Sequence, residues 1–441
     1  MRAALASSAA LLLSVVFIML ANGLFGTFIG LRSGLEGFPK EVIGLLASAY
    51  YVGLIIGTLR CGRLINRVGH IRAFAAFCAV NAASVLIFTF VTDPAVWGVL
   101  RVIIGFNLAG AYIVAESWLN NKATPRTRGT LLSMYMMTTY VGLGSGQFLI
   151  NIADHAGPTL FIIVGLLISL AVIPVAVTRA SHPAPVEEET HFNFLKLYTI
   201  SPLAVVGCVC AGLTNGALFG MAPIYGQDLG WSVGEISRFM GVLVISGLAL
   251  QYPIGFLSDR FDRRRVIIAV YATVALVSVV VITFMIHFST IKMGDSGEIW
   301  MPARESPWLM LVIAGVYGSL IATQYPLVVS YANDYIDPGD MVEASAGLVL
   351  AFSLGAVFGP PLAAVVMKFV GPNGLFMYTG AIAAFTLTFA IYRTRRRSWV
   401  PVMEKESFVP LPEATVTPNP GELDPRYWGI QLELDLEPVE G

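Results

Sequence analysis

The sequence predicts an all-α, polytopic membrane protein with twelve transmembrane helices arranged as two six-helix parallel repeats. Three observations carry that prediction. First, 12% of the 441 residues are charged and 56% are hydrophobic. Soluble domains carry about 25% charged residues, so this chain cannot coat itself for water. Second, twelve apolar stretches are each long enough to cross about 30 Å of hydrocarbon at about 1.5 Å per residue. Third, features of the first half return in the same order in the second.

The expected spans are 9–30, 42–61, 73–92, 95–118, 129–151, 158–178, 199–224, 234–257, 266–288, 306–331, 341–367 and 373–392. The first shows no early basic cluster and is long enough to span, so it reads as a helix and not as a cleavable signal. Closed barrels would show short alternating segments instead. Arginines and lysines cluster after even-numbered spans: Arg60, Arg63, Arg67 and Arg72; Lys122, Arg126 and Arg128; Arg260, Arg263, Arg264 and Arg265; Arg393 and Arg395 to Arg397. Positive loops stay in the cytoplasm. The chain is therefore expected to be multi-pass in the cell membrane, with both termini cytoplasmic. The loop after span 10 is the exception, with Asp334, Asp337, Asp340 and Glu343, but acids contribute little to this rule.

A polar, Pro-containing stretch at 179–198 divides the chain into an N-terminal bundle (1–178) and a C-terminal bundle (199–392). The tail at 393–441 is rich in proline and acids and reads as disordered.

The repeat has three parts. "ANGLFG" (Ala21 to Gly26) matches "TNGALFG" (Thr214 to Gly220), with Asn22 and Asn215 offset by 193. "GRLINRVGHIR" (Gly62 to Arg72) matches "GFLSDRFDRRR" (Gly255 to Arg265) at the same offset. "YIVAESWLNNKATP" (Tyr112 to Pro125) matches "YPLVVSYANDYIDP" (Tyr325 to Pro338) at 213, after an insertion near 289–305. Parallel repeats place a substrate site at their interface near the bilayer midplane. An amide inside hydrocarbon is tolerated when it faces a wet cavity, and the glycine beside it permits close backbone approach. The same dipeptide could also serve only to pack one helix on another.

Six plus six spans with a basic, glycine-containing loop after spans 2 and 8 resembles the major facilitator superfamily, over about residues 9–392. The family's loop motif falls on Gly62, Asn66, Arg67, Gly69 and Arg72, with Asn66 where the family has Asp. In the second half it falls on Gly255, Asp259, Arg260 and Arg264, with Asp262 where Gly would stand. "AESWLN" followed by "RGTLLSMYMMTTYVGLGSGQFLI" is similar to the YcaD-like branch, and related branches import riboflavin or copper. The resemblance implies a reversible cytoplasmic gate built on these loops. Exchangeable charge pairs and helix-end contacts suit that task, since each is worth little. Arg101 with Gly105 resembles a span-4 motif associated with proton coupling; an interfacial anchor is the alternative. Glu116 could carry the proton or latch onto Arg67 or Lys122.

Asn22, Asn107, Gln147, Asn215, Gln251, Gln324 and Tyr325 are the substrate-cavity candidates. Amides and tyrosines without a charged cluster point to a neutral or zwitterionic solute. The expected function is a secondary transporter moving a small organic solute by alternating access, with proton-coupled import and facilitated diffusion both open. The alternatives are an efflux antiporter for lipophilic compounds and a non-transporting sensor with the same fold. Span 5 has no Gly-Pro antiporter signature, which argues against efflux. Its Gly142 to Gln147 run imitates a nucleotide loop but lies inside a span with no preceding strand. Neither a zinc-protease motif nor a Ser/His dyad supports an enzyme. Met221 and Met240 lack the partners a copper path needs, and Cys61, Cys78, Cys208 and Cys210 read as packing residues. Neither cofactor, metal nor nucleic acid is expected. The expected partners are a small-molecule substrate, the lipid bilayer and candidate protons, with the protein acting as a monomer.

Overall fold

Hydrocarbon cannot bond a peptide group, so every span must close its own backbone hydrogen bonds as a helix. The computed structural model describes residues 2–123, 127–177, 194–291, 307–336, 341–396, 408, 410 and 411. In chain order the helices are α1 (Arg2–Leu35), α2 (Lys40–Val68), α3 (His70–Ile87), α4 (Pro94–Lys122) and α5 (Arg128–Phe148). Next come α6 (Thr159–Leu170, resumed as Val172–Val177), α7 (Pro202–Asp228) and α8 (Val233–Ile245, resumed as Gly247–Arg260). The last are α9 (Arg263–Ile291), α10 (Pro307–Asn333), α11 (Met341–Val370) and α12 (Gly374–Thr394). Among the described residues, eleven of these spans are long and apolar enough to cross a membrane. The remaining one, α5, carries serines, threonines, tyrosines and Gln147, which lower its hydropathy.

Local chemistry sets the boundaries. Asp93 accepts from the amides of Ala95 (2.8 Å) and Val96 (3.0 Å) and, with Pro94 behind it, starts α4. Ser232 and Glu235 form a reciprocal capping box at the start of α8. Pro174 has no N–H for the carbonyl of Leu170, where α6 breaks. Between α2 and α3 the reversal is made by Gly69 alone, at φ +87°, a conformation side chains with a Cβ avoid.

Each half packs its own helices, and the halves meet where α2 lies on α11, α5 on α8 and α1 on α7. The Asn-Gly dipeptides explain the tightest crossings. A Cβ on Gly23 would strike the carbonyl of Leu143 and the Cα of Gly146 on α5. A Cβ on Gly216 would strike the backbone of Ala356 on α11. Gly146 and Gly359 return the contact, so one crossing is built twice from matched positions. The packing reading of the dipeptide therefore holds for its glycine.

The expected linker (179–198) and the insertion near 289–305 lie largely outside the described residues. Residues of a short helix, Phe194–Ile200, occupy the linker's end. Most of the tail is likewise outside them, but Phe408 and Leu411 pack against the core.

Inserting a side chain at these crossings overpacks them, at about 1–3 kcal/mol each. Gly23→Val and Gly216→Val should each lower the melting temperature of the detergent-purified protein. Gly26→Ala, whose added Cβ meets nothing within 4 Å, should leave it unchanged. Equal melting of all three would refute the backbone-contact account.

Candidate functional site

Successive helical residues point about 100° apart. With Gly23 turned onto α5, Asn22 turns elsewhere; with Gly216 on α11, so does Asn215. Both asparagines line one cavity between the halves, together with Arg101, Gln147, Tyr50 and Tyr51. The cavity offers about 90 Å³ to the centres of water molecules, several times what one buried water needs. Asn22 Nδ2 donates to the Tyr112 hydroxyl at 3.2 Å. Thr27 donates to Gln147 Oε1, leaving that amide its N–H groups.

Arg101 is 6% exposed. Its Nε donates to the Leu46 carbonyl at 3.2 Å. Its guanidinium carbon lies 4.7 Å from the Tyr50 ring centroid and 5.6 Å from that of Phe25, as cation–π contacts.

Beyond the cavity, the end away from the basic loops is tied across the halves. Lys40 on α2 meets Asp228 on α7 at 2.6 Å, and Glu41 on α2 pairs with Lys368 on α11. Gln227 Nε2 donates to the Leu31 carbonyl at 3.0 Å, and Asn151 Nδ2 to Ser237 Oγ at 2.8 Å. Ser48 reaches from α2 to the carbonyl of Val357 on α11 nearer the middle.

At the basic end the two loop motifs differ. In the second half, buried Arg263 donates to Asp259 Oδ1 (2.8 Å), Asp334 Oδ1 (2.6 Å) and the Ser330 carbonyl (2.6 Å). The backbone amide of Phe408 donates to the same Asp259 oxygen at 2.9 Å, with its ring against Gly255. Arg264 pairs locally with Asp262 at 2.8 Å, and Arg260 stacks over Phe256 at 4.0 Å. By the repeat offsets, Arg263, Asp259, Asp334 and Ser330 correspond to His70, Asn66, Asn121 and Ser117. The first-half copy keeps the contact without the fixed charges: His70 Nε2 lies 3.2 Å from Ser117 Oγ. Arg67, Asn66 and Arg72 are exposed there, and Gly62 is half-buried.

The structure thus gathers Asn22, Gln147, Asn215 and Arg101 at the cavity and leaves the other candidates outside its lining. Asn107 donates to the Ile103 carbonyl of its own helix at 2.7 Å. Gln251 donates to the Tyr140 hydroxyl at 2.9 Å. Gln324 is buried with neither amide atom hydrogen-bonded among the described residues. Tyr325 packs its ring on Phe352 at 4.8 Å. Fully buried Glu116 accepts from the Tyr135 hydroxyl at 2.7 Å, a partner that sequence spacing did not suggest. Tyr50, Tyr51 and Thr27 were not legible as cavity residues, because aromatics and threonine are routine helix packing. The pairing of Lys40 with Asp228 and of Glu41 with Lys368 has no sequence signal, because the partners are far apart along the chain. Among the described residues, no group of three His, Cys, Asp or Glu could hold a metal, and all four cysteines are free and buried.

A sequence profile of the Major Facilitator Superfamily matches residues 11–293 and 204–430. The "Uncharacterized MFS-type transporter YcaD" of Escherichia fergusonii is 28% identical over 389 residues, covering 88% of this chain and 96% of that protein. A similarly described transporter of Enterobacter sp. is 29% identical over 376 residues, covering 85% of this chain and 92% of its own. Among solved structures, a bacterial homologue of the human lysosomal transporter Spinster, inward-facing and unoccupied, superposes with TM-score 0.68 at 13% identity, covering 92% of this chain and 99% of that one. The nucleoside transporter NupG superposes with TM-score 0.67 at 12% identity, covering 90% and 100%. Those likenesses establish the fold. The chain belongs to the Major Facilitator Superfamily, near its YcaD branch, and is a multi-pass membrane transport protein.

Proposed function

We propose that this protein carries a small organic solute across the membrane by alternating access, with the cavity between its halves as the solute site. The supporting observation is that equivalent residues of both repeats, Asn22 and Asn215, face one cavity closed at the far end by cross-half contacts. In this reading the basic end is cytoplasmic and the described state is closed to the outside. Exposed Arg67 and Arg260 are then the released halves of the cytoplasmic gate, and they engage the opposing helix ends when the outside opens. Asp259, Arg263 and Asp334 hold the second-half loop rigid, while the His70, Asn66 and Asn121 set, which has no aspartate, lets the first-half loop yield. Glu116, with Tyr135, is the group we assign to any proton that accompanies the solute.

The closing contacts are partly exposed ion pairs, worth at most about 1 kcal/mol each, so breaking one should shift the two states about fivefold. Ala47 lines the cavity, and the four native cysteines are buried. Ala47→Cys should react with a membrane-impermeant maleimide from the basic side. Adding Lys40→Asp should increase labelling from the far side, and adding Asp228→Lys to that variant should reverse the increase. Far-side labelling indifferent to these charges would defeat the gating proposal.

Arg263 and Asp334 are both nearly fully buried, with side chains 1% and 2% exposed. Removing one partner of a buried pair costs about 3–5 kcal/mol. Asp334→Asn should therefore lower the melting temperature clearly, whereas Asn121→Ala at the matching first-half position should lower it far less. Equal losses would refute the rigid-versus-yielding assignment.

A further inference from the structure

Among the described residues, Arg101 is the single fixed charge that lines the cavity, and no carboxylate lines it. Its guanidinium has five N–H donors. The Leu46 carbonyl takes the Nε one, and the flanking Tyr50 and Phe25 rings supply faces but no anion. No carboxylate pairs with Arg101 among the described residues. Glu116, on the same helix, lies fifteen residues on, about 22 Å away along the axis, and bonds Tyr135 instead.

An uncompensated cation in a low-dielectric cavity is costly, and an anion that enters removes the cost. A guanidinium presents two parallel N–H donors in the geometry a carboxylate accepts. Around it, Asn22, Asn215 and the Gln147 amide offer neutral hydrogen-bonding groups, while Tyr51 and Phe219 offer ring surface. One cation and no second one matches one negative charge.

We infer that the solute is a small organic monoanion whose carboxylate docks on Arg101, with a neutral, polar body held between Asn22, Asn215 and Gln147. This replaces the neutral or zwitterionic solute expected from sequence. It rests on the cavity being the solute site. Arg101 in this role is a binding residue.

The test uses the purified full-length protein and matched pairs that differ only in charge: nicotinate and nicotinamide, benzoate and benzamide, lactate and lactamide. Thermal stabilisation reports binding by mass action. At neutral pH at least one acid should stabilise the protein, with an apparent affinity at least about tenfold above that of its amide. Arg101→Lys should keep the preference for the acid but weaken it, since an ammonium lacks the planar fork. Arg101→Gln should erase the preference. Amides binding as well as acids, acid preference surviving Arg101→Gln, or no stabilisation by any acid would each overturn the inference. Should Arg101→Gln fail to fold, the wild-type acid-to-amide ratio and the Arg101→Lys variant still decide. The Ala47→Cys labelling separates the two readings. Side-switching without acid preference leaves transport standing and removes the anion. Acid preference without side-switching does the reverse.

Discussion

Lipid gives a helix nothing for covering its apolar face with another helix, so association in a membrane depends on how closely two backbones can approach. The glycine crossings are where that constraint is met here. Gly23 with Gly146 joins α1 to α5, and Gly216 with the Ala356 to Gly359 stretch joins α7 to α11. Gly53 and Gly105 do the same for α2 and α4, and Gly318 presses on the Leu243 carbonyl between α8 and α10. With the backbones locked at these points, the residue next to each glycine has its direction decided. That is how an asparagine beside a glycine comes to face the cavity in both halves.

The fold was legible because its signals are long and redundant. Twelve apolar runs, loop arginines at alternate ends and three repeated stretches all name the same topology. The cavity was legible only where a polar residue stood out against hydrocarbon, as Asn22, Asn215, Gln147 and Arg101 do. Gln251, Gln324 and Asn107 stood out equally, but one sequence does not say which face of a helix meets a neighbour. Asn107 satisfies itself on its own helix, and Gln251 joins Tyr140 across the halves. Tyr50 and Tyr51 gave no contrast at all. Contacts distant in sequence, such as Lys40 with Asp228 or Phe408 with Asp259, have no local signature. Of the run of arginines after α8, sequence pointed to Arg264, whereas Arg263 makes the long-range contacts.

Duplication did not keep the halves equal. The second-half loop holds a buried arginine between two aspartates, whereas at the matching first-half positions a histidine meets Ser117 and asparagines replace the aspartates. Asp334, the first acid after α10, is explained on the same ground, since at a basic end it pairs with buried Arg263.

The rim opposite those loops carries adjacent charges of opposite sign on α2, Lys40 and Glu41, answered by Asp228 and Lys368 from the other half. In these two pairs each half supplies one positive and one negative group. Moving a whole charge through a membrane potential is worth about 2.3 kcal/mol per 100 mV. In the proposed alternating-access cycle, these four groups would part with no net charge moved. On that proposal the two pairs leave any voltage dependence to the solute and to charges outside them.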